Sequence, residues 1–185
     1  MKNRKQTIAI ASVVVLLIFS VVSGLILPYR QNAAAETVDK NTAQGEKVAI
    51  PNFEFMDKDG NTVEFDSFRG KPVVINFWGT WCPFCVMELD DFDKAAAEYK
   101  DEVNFLFLDV ENDEDMQAEN VLAYLEENDF HNIDTYFDYP GYGRYMFGIN
   151  SFPATIYVDS EGNLFNANLG ATDYESIVEN IKRML

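Results

Sequence analysis

Six consecutive residues, Val73 to Trp78 (VVINFW), are apolar at every position except Asn76, and across Gly79-Thr80-Trp81 they lead into Cys82-Pro83-Phe84-Cys85. A strand so uniformly apolar has to be covered on both faces, as in the centre of a mainly parallel sheet with helices above and below. Beyond Cys82 the apolar residues Val86, Leu89, Phe92, Ala96 and Tyr99 recur at helical spacing, and Pro83 falls in a first turn. A proline there loses nothing, because its missing N–H would have no intrahelical partner. This stretch therefore reads as a buried strand, a tight connection and a helix, with two thiols at the helix start.

The flanking sequence continues the alternation. Val103 to Val110 (VNFLFLDV) reads as a second buried strand, followed by a helix from about Asp113 to Asn128 with Ala118, Val121, Leu122 and Leu125 on one face. Ala154 to Val158 and Leu164 to Leu169 are joined by Asp159-Ser160-Glu161-Gly162-Asn163, too short a connection for anything but an antiparallel hairpin. The sheet must therefore be mixed. Upstream, Phe53 to Met56 and Val63 to Phe65 flank the turn signal Asp57-Lys58-Asp59-Gly60-Asn61 and predict an N-terminal hairpin. Thr172 with Glu175 reads as a capping box for a last helix whose Tyr174, Ile177, Val178 and Ile181 form an apolar stripe. The expectation is an α/β fold over residues 48–185, a mixed central sheet flanked by helices in three layers.

Cys82 and Cys85 stand one helical turn apart, a spacing that permits a disulfide. Unpaired N–H groups and the helix dipole favour an anion at a helix N-terminus, so the Cys82 thiolate is expected to be stabilised. It can attack a partner's disulfide, and Cys85 then resolves the mixed disulfide, a cycle that needs no cofactor beyond the Cys82–Cys85 pair. Cys85, deeper in the helix among apolar side chains, is expected to stay protonated until that step. Three plainer readings compete. A structural staple closing so short a loop removes little chain entropy. A metal site is short of ligands, since the chain has two Cys and one His (His131) and zinc normally takes four. Inert core thiols fit poorly beside Trp81 and Pro83.

The segment VVINFWGTWCPFC (Val73 to Cys85) resembles the strand-turn-helix of the thioredoxin superfamily, in particular its membrane-anchored, extracytoplasmic TlpA/ResA type. The resemblance implies a thioredoxin-like fold and thiol-disulfide oxidoreductase activity on exported proteins, with Cys82 and Cys85 catalytic. It implies that Ser151-Phe152-Pro153-Ala154-Thr155 is the cis-proline loop opposite them, and that Trp81, Pro83, Phe84, Phe152 and Pro153 contact the partner chain. Thioredoxin carries a buried Asp where this chain has Asn76, which relays no proton; Glu88 matches a carboxylate that ResA-type proteins place near their cysteines. An ordinary solvated helix Glu is the alternative for Glu88. The Pro-first order Cys-Pro-Phe-Cys departs from many TlpA/ResA-type motifs and is shared with glutaredoxin-like and DsbA-like ones, whose potentials run from about −230 to −120 mV against about −270 mV for thioredoxin. These residues leave the direction of electron flow open.

Residues Ile8 to Leu27 carry no charge over twenty positions, enough to cross a hydrocarbon core of about 30 Å. They read as a transmembrane anchor, with residues 1–7 (Lys2, Arg4, Lys5) cytoplasmic and the polar linker 28–47 outside. A signal peptide cleaved after Ala33-Ala34-Ala35 is the competing reading, and either one exports the domain. All 31 acidic residues follow position 35, against 10 of the 14 basic ones, leaving that part at −21. Such a surface repels phosphate backbones, which argues against nucleic acid as a partner. The partners expected are exported protein dithiols or disulfides and a membrane electron donor or acceptor for recycling, with the chain itself a monomer. The acidic run Glu111-Asn112-Asp113-Glu114-Asp115 reads as a solvated helix start.

Overall fold

The computed structural model describes residues 47–110 and 117–185. The expected anchor, most of the linker and the acidic run 111–115 lie outside them. Among the described residues no helix is long and apolar enough to cross a membrane.

The elements follow in chain order: β1 (Glu54–Met56), β2 (Thr62–Glu64), a 3-10 turn (Phe65–Phe68), β3 (Val73–Trp78), α1 (Pro83–Tyr99), β4 (Asn104–Asp109) and α2 (Gln117–Glu127). Then come β5 (Thr135–Phe137), the short α3 (Tyr142–Met146), β6 (Ala154–Val158), β7 (Leu164–Leu169) and α4 (Tyr174–Met184). They build one seven-stranded sheet in the order β2-β1-β5-β4-β3-β6-β7. β3, β4 and β5 run parallel, and the hairpins β1–β2 and β6–β7 join antiparallel at either side. Both hairpins turn on the same device. The side chain of Asp57 accepts from the N–H groups of Asp59 and Asn61, and that of Asp159 from those of Glu161 and Asn163, which closes each turn locally.

Alternation along β3 divides the core. Val74 and Trp78 point to the face where α1, α2 and α4 pack, contributing Leu89, Phe92, Val121, Leu125, Ile177, Val178 and Ile181. Val73, Ile75 and Phe77 point to the other face, covered by Ile50, Phe53, Phe55, Phe65 and Phe147. This is a thioredoxin-like α/β fold with a mixed sheet between two covering layers. All six residues of β3 are buried, as the unbroken apolar run requires.

Two features depart from the sequence reading. The cap of α4 is Asp173, whose side chain accepts from the N–H of Ser176; the Thr172–Glu175 box is displaced by one residue. Thr172 instead sends its own N–H to Glu88. The strand β5 and its pairing with both β1 and β4 were not legible, because three residues between turn-forming stretches carry too little periodicity to register.

Candidate functional site

The site grows out of the end of β3. After Trp78 the chain turns through Gly79 and Thr80, and the N–H of Cys82 returns to the carbonyl of Gly79 at 3.1 Å. A Cβ at Gly79 would sit 2.7 Å from Nε1 of Trp81, so any larger residue there would push the indole off the turn over which it folds back. Cys82 is the N-cap of α1 in extended conformation, Pro83 occupies the first turn, and Cys82 Sγ accepts from the N–H of Cys85 at 3.2 Å. The same N–H also reaches the carbonyl of Cys82 at 3.0 Å, so this first-turn donor is shared between the backbone and the sulfur.

Cys82 and Cys85 are disulfide-bonded, with Cα atoms 5.2 Å apart. Cys82 is 5% exposed and Cys85 fully buried. Both cysteines are thus buried, with Cys82 the slightly more accessible of the two.

Glu88 lies one turn beyond Cys85 on the inner side of α1 and is 1% exposed, so it is not the solvated helix residue that composition alone would favour. Its Oε1 accepts from Nδ2 of Asn76 at 2.8 Å and its Oε2 from the N–H of Thr172 at 2.9 Å. Nδ2 of Asn76 also reaches Oγ1 of Thr155 on β6 at 3.2 Å. Burial pushes the Glu88 carboxyl up to about 7; the two donors pull the other way, and the charge of Asp91 adds to the rise. A carboxyl poised there can take or return a proton near neutral pH.

The Phe152–Pro153 bond is cis, and the carbonyl of Pro153 accepts from the N–H of Gly170 at 2.9 Å. The loop stands where β6 begins, and β6 pairs with β3 from Ala154 opposite Phe77. Phe152 meets Trp81 edge to face, with ring centroids 5.8 Å apart. Around the cysteines, Trp81 is 56% exposed and Phe84 61% exposed, and Pro83 is exposed beside them. Trp81, Cys82, Cys85 and Phe152 thus come together, with Glu88 beneath.

Three residues escaped the sequence reading. Met87, 71% exposed one turn from Phe84, extends the apolar surface. Asn76, set aside as unable to relay a proton, is the residue that holds Glu88; the lone polar position in VVINFW was its signal. Thr172 contributes a backbone N–H, which no side-chain pattern reveals.

A dithiol pair capping the helix that follows a central parallel strand, faced by an X-Pro loop, defines a thioredoxin-like thiol-disulfide oxidoreductase. The Redoxin family model matches residues 43–185, and the chain belongs to that family. It is 27% identical over 135 residues to the thiol-disulfide oxidoreductase ResA of Bacillus thuringiensis subsp. konkukian, covering 72% of this chain and 75% of that one. To ResA of Halalkalibacterium halodurans it is 25% identical over 148 residues, 76% of this chain and 77% of that one. Among solved structures it is similar to the exposed lipoprotein thioredoxin of Streptococcus pneumoniae, with a TM-score of 0.62 and 28% identity over 72% of this chain and 99% of that one. These likenesses place it with the TlpA/ResA-like proteins of the thioredoxin superfamily.

Proposed function

We propose that this chain is a membrane-tethered, extracytoplasmic reductant that returns disulfides in exported proteins to thiols. The observation that carries the direction is Glu88, a buried acid one turn from Cys85. An ionised carboxylate beside a thiolate raises the cost of the reduced, ionised pair, and a dithiol so placed gives up its electrons more readily. The acidic character of the chain, −17 overall, acts in the same sense.

In the cycle, the Cys82 thiolate attacks one sulfur of the partner's disulfide and the other leaves as a thiolate. Cys85 then loses its proton to the Glu88 carboxylate, and its sulfur attacks Cys82. The partner's second sulfur leaves, and the Cys82–Cys85 disulfide forms. Two electrons pass to the partner, the departing thiolates take up protons, and a membrane electron donor reduces the pair again. Trp81, Pro83, Phe84, Phe152 and Pro153 are assigned to the partner chain, with apocytochrome c or an oxidatively damaged exported protein as the substrate implied by the ResA resemblance. No cofactor enters. Residues 8–27 serve as the anchor and 28–47 as the tether; the pneumococcal relative, an exposed lipoprotein, supports an outward-facing domain.

A second reading, a disulfide-forming oxidant, draws on Pro83 directly following Cys82, the order shared with more oxidising motifs. Trapping with Cys85→Ser tests the first reading, since the lone Cys82 thiolate is captured by disulfide-bearing exported proteins; the second predicts instead that the oxidised wild-type chain passes its Cys82–Cys85 disulfide to reduced exported chains and is itself left as the dithiol. Equilibration of the Cys82–Cys85 pair with glutathione gives the same answer independently. A pair that remains oxidised in a glutathione buffer poised near −230 mV supports the reductant, and one largely reduced there overturns it.

A further inference from the structure

Glu88 is gripped from two sides by groups that belong to neither the cysteine motif nor the proline loop. Asn76 comes from the centre of β3 and Thr172 from the turn between β7 and α4, residues 12 and 84 positions away in sequence. Asn76 is itself oriented by Thr155 on β6. Each of the two carboxyl oxygens has one neutral donor, so the carboxyl cannot rotate without breaking both bonds. Thr172 is also the member of this group that reaches water: it is half-buried and lines a polar groove of about 510 Å³ between β7 and α4, together with Asn166, Asn168, Ser176 and Asn180.

We propose that Asn76 and the N–H of Thr172 are positioning groups for the resolving step, fixing the Glu88 carboxyl beside Cys85 and setting the pH range over which Cys85 can give up its proton. This rests on the exchange cycle assigned above. Both donors favour the ionised carboxyl, the form that accepts the proton of Cys85. The titratable groups bearing on Glu88 are Asp91 on its own helix and Tyr157 on β6, the latter in turn influenced by Asp173 at the start of α4. Asp91 opposes ionisation, as burial does. The two donors are what hold the carboxyl within the neutral range.

Removing either donor is expected to move the midpoint of Glu88 upward, since a hydrogen bond to a charged group is worth about one pH unit or more. The test compares Asn76→Leu, close in shape, and Thr172→Pro, which deletes the N–H in the turn before α4, outside the helix and strand ladders, each alone and combined with Glu88→Gln. The readout is the pH profile of reduction of a small model disulfide by the reduced full chain. Each single variant should shift the profile upward by about one unit. In the Glu88→Gln background neither should shift it further. A profile that stays at the wild-type position in Thr172→Pro, or an equal shift with and without Glu88, overturns the positioning role. A wild-type chain that fails to reduce the disulfide at any pH would instead overturn the exchange reading itself.

Discussion

Trp81 and Phe152 lie 71 residues apart in the chain, yet their rings meet edge to face at 5.8 Å, closing the space between the cysteine turn and the proline loop. One ring is carried by the connection after β3 and the other by the residue before Pro153, so the contact depends on β3 and β6 pairing in register. Edge-to-face pairs are worth about 0.5 to 1.5 kcal/mol beyond the area they bury. Half of Trp81 remains open to solvent, which leaves its outer surface available to a partner.

Trp81→Ala and Phe152→Ala are therefore expected to impair reduction of a protein disulfide several-fold while leaving reduction of a small disulfide close to wild type. The combined variant should lose less than the sum of the two, since each single change already opens the shared contact. Equal losses on large and small substrates would assign these rings to the sulfur chemistry and not to the partner.

The thiols should separate in a labelling experiment. In the oxidised chain Cys82 caps α1 with the N–H of Cys85 pointing at its sulfur, and the reduced chain is expected to keep that arrangement. Cys82 should titrate below the free-thiol value of about 8.5 and alkylate first, with Cys85 protected by burial. Mass spectrometry of partially labelled protein reads the order directly. Simultaneous labelling would remove the distinction between attacking and resolving cysteines.

Much of this arrangement was readable because the residues involved act locally. The apolar run of β3 demanded two covered faces, and the helical spacing after Cys82 placed both thiols at a helix start. What escaped depends on contacts across the fold. The burial of Glu88 is decided by α4 and its preceding turn closing over α1, and the donor role of Thr172 belongs to its backbone, on which its side chain is silent. Asn76 looked inert as an isolated side chain because its function lies in what it faces. β5 is held by one residue pair to β1 and three to β4, so neighbours and not its own sequence make it a strand.

The displaced cap gives a direct stability test. Asp173→Ala removes the side chain that accepts from the N–H of Ser176 and should cost about 1 kcal/mol. Thr172→Ala keeps the backbone donor to Glu88 and should stay within about 0.5 kcal/mol of wild type. Denaturant midpoints measure both. The reverse ranking would restore Thr172 as the cap.

Glu88 also makes the fold's stability depend on pH in a direction opposite to that of its exposed carboxylates. Its ordinary value is 4.5, and in the folded chain it stands at about 7. Between those two values the folded state holds a proton that the unfolded state has released, so folding is favoured by acid there. The contribution is complete below pH 4.5, falls as pH rises and is gone above about 7, and the span corresponds to about 3 kcal/mol. Asp138, also raised by burial although the N–H groups of Gly143 and Arg144 oppose it, acts in the same direction. Asp57 and Asp173, lowered by hydrogen bonds to Asn61 and Ser176, contribute stability that is lost only as pH falls through their own depressed values. The oxidised wild-type chain should thus lose stability as pH rises from about 5 to 7, and Glu88→Gln should flatten most of that slope; its single amide oxygen keeps one of the two donors and its NH2 faces the other, a cost that does not vary with pH. Unfolding free energies measured by denaturant across this range decide it. A wild-type slope that survives in Glu88→Gln would place the titrating group elsewhere and leave Glu88 without a proton to exchange near neutral pH.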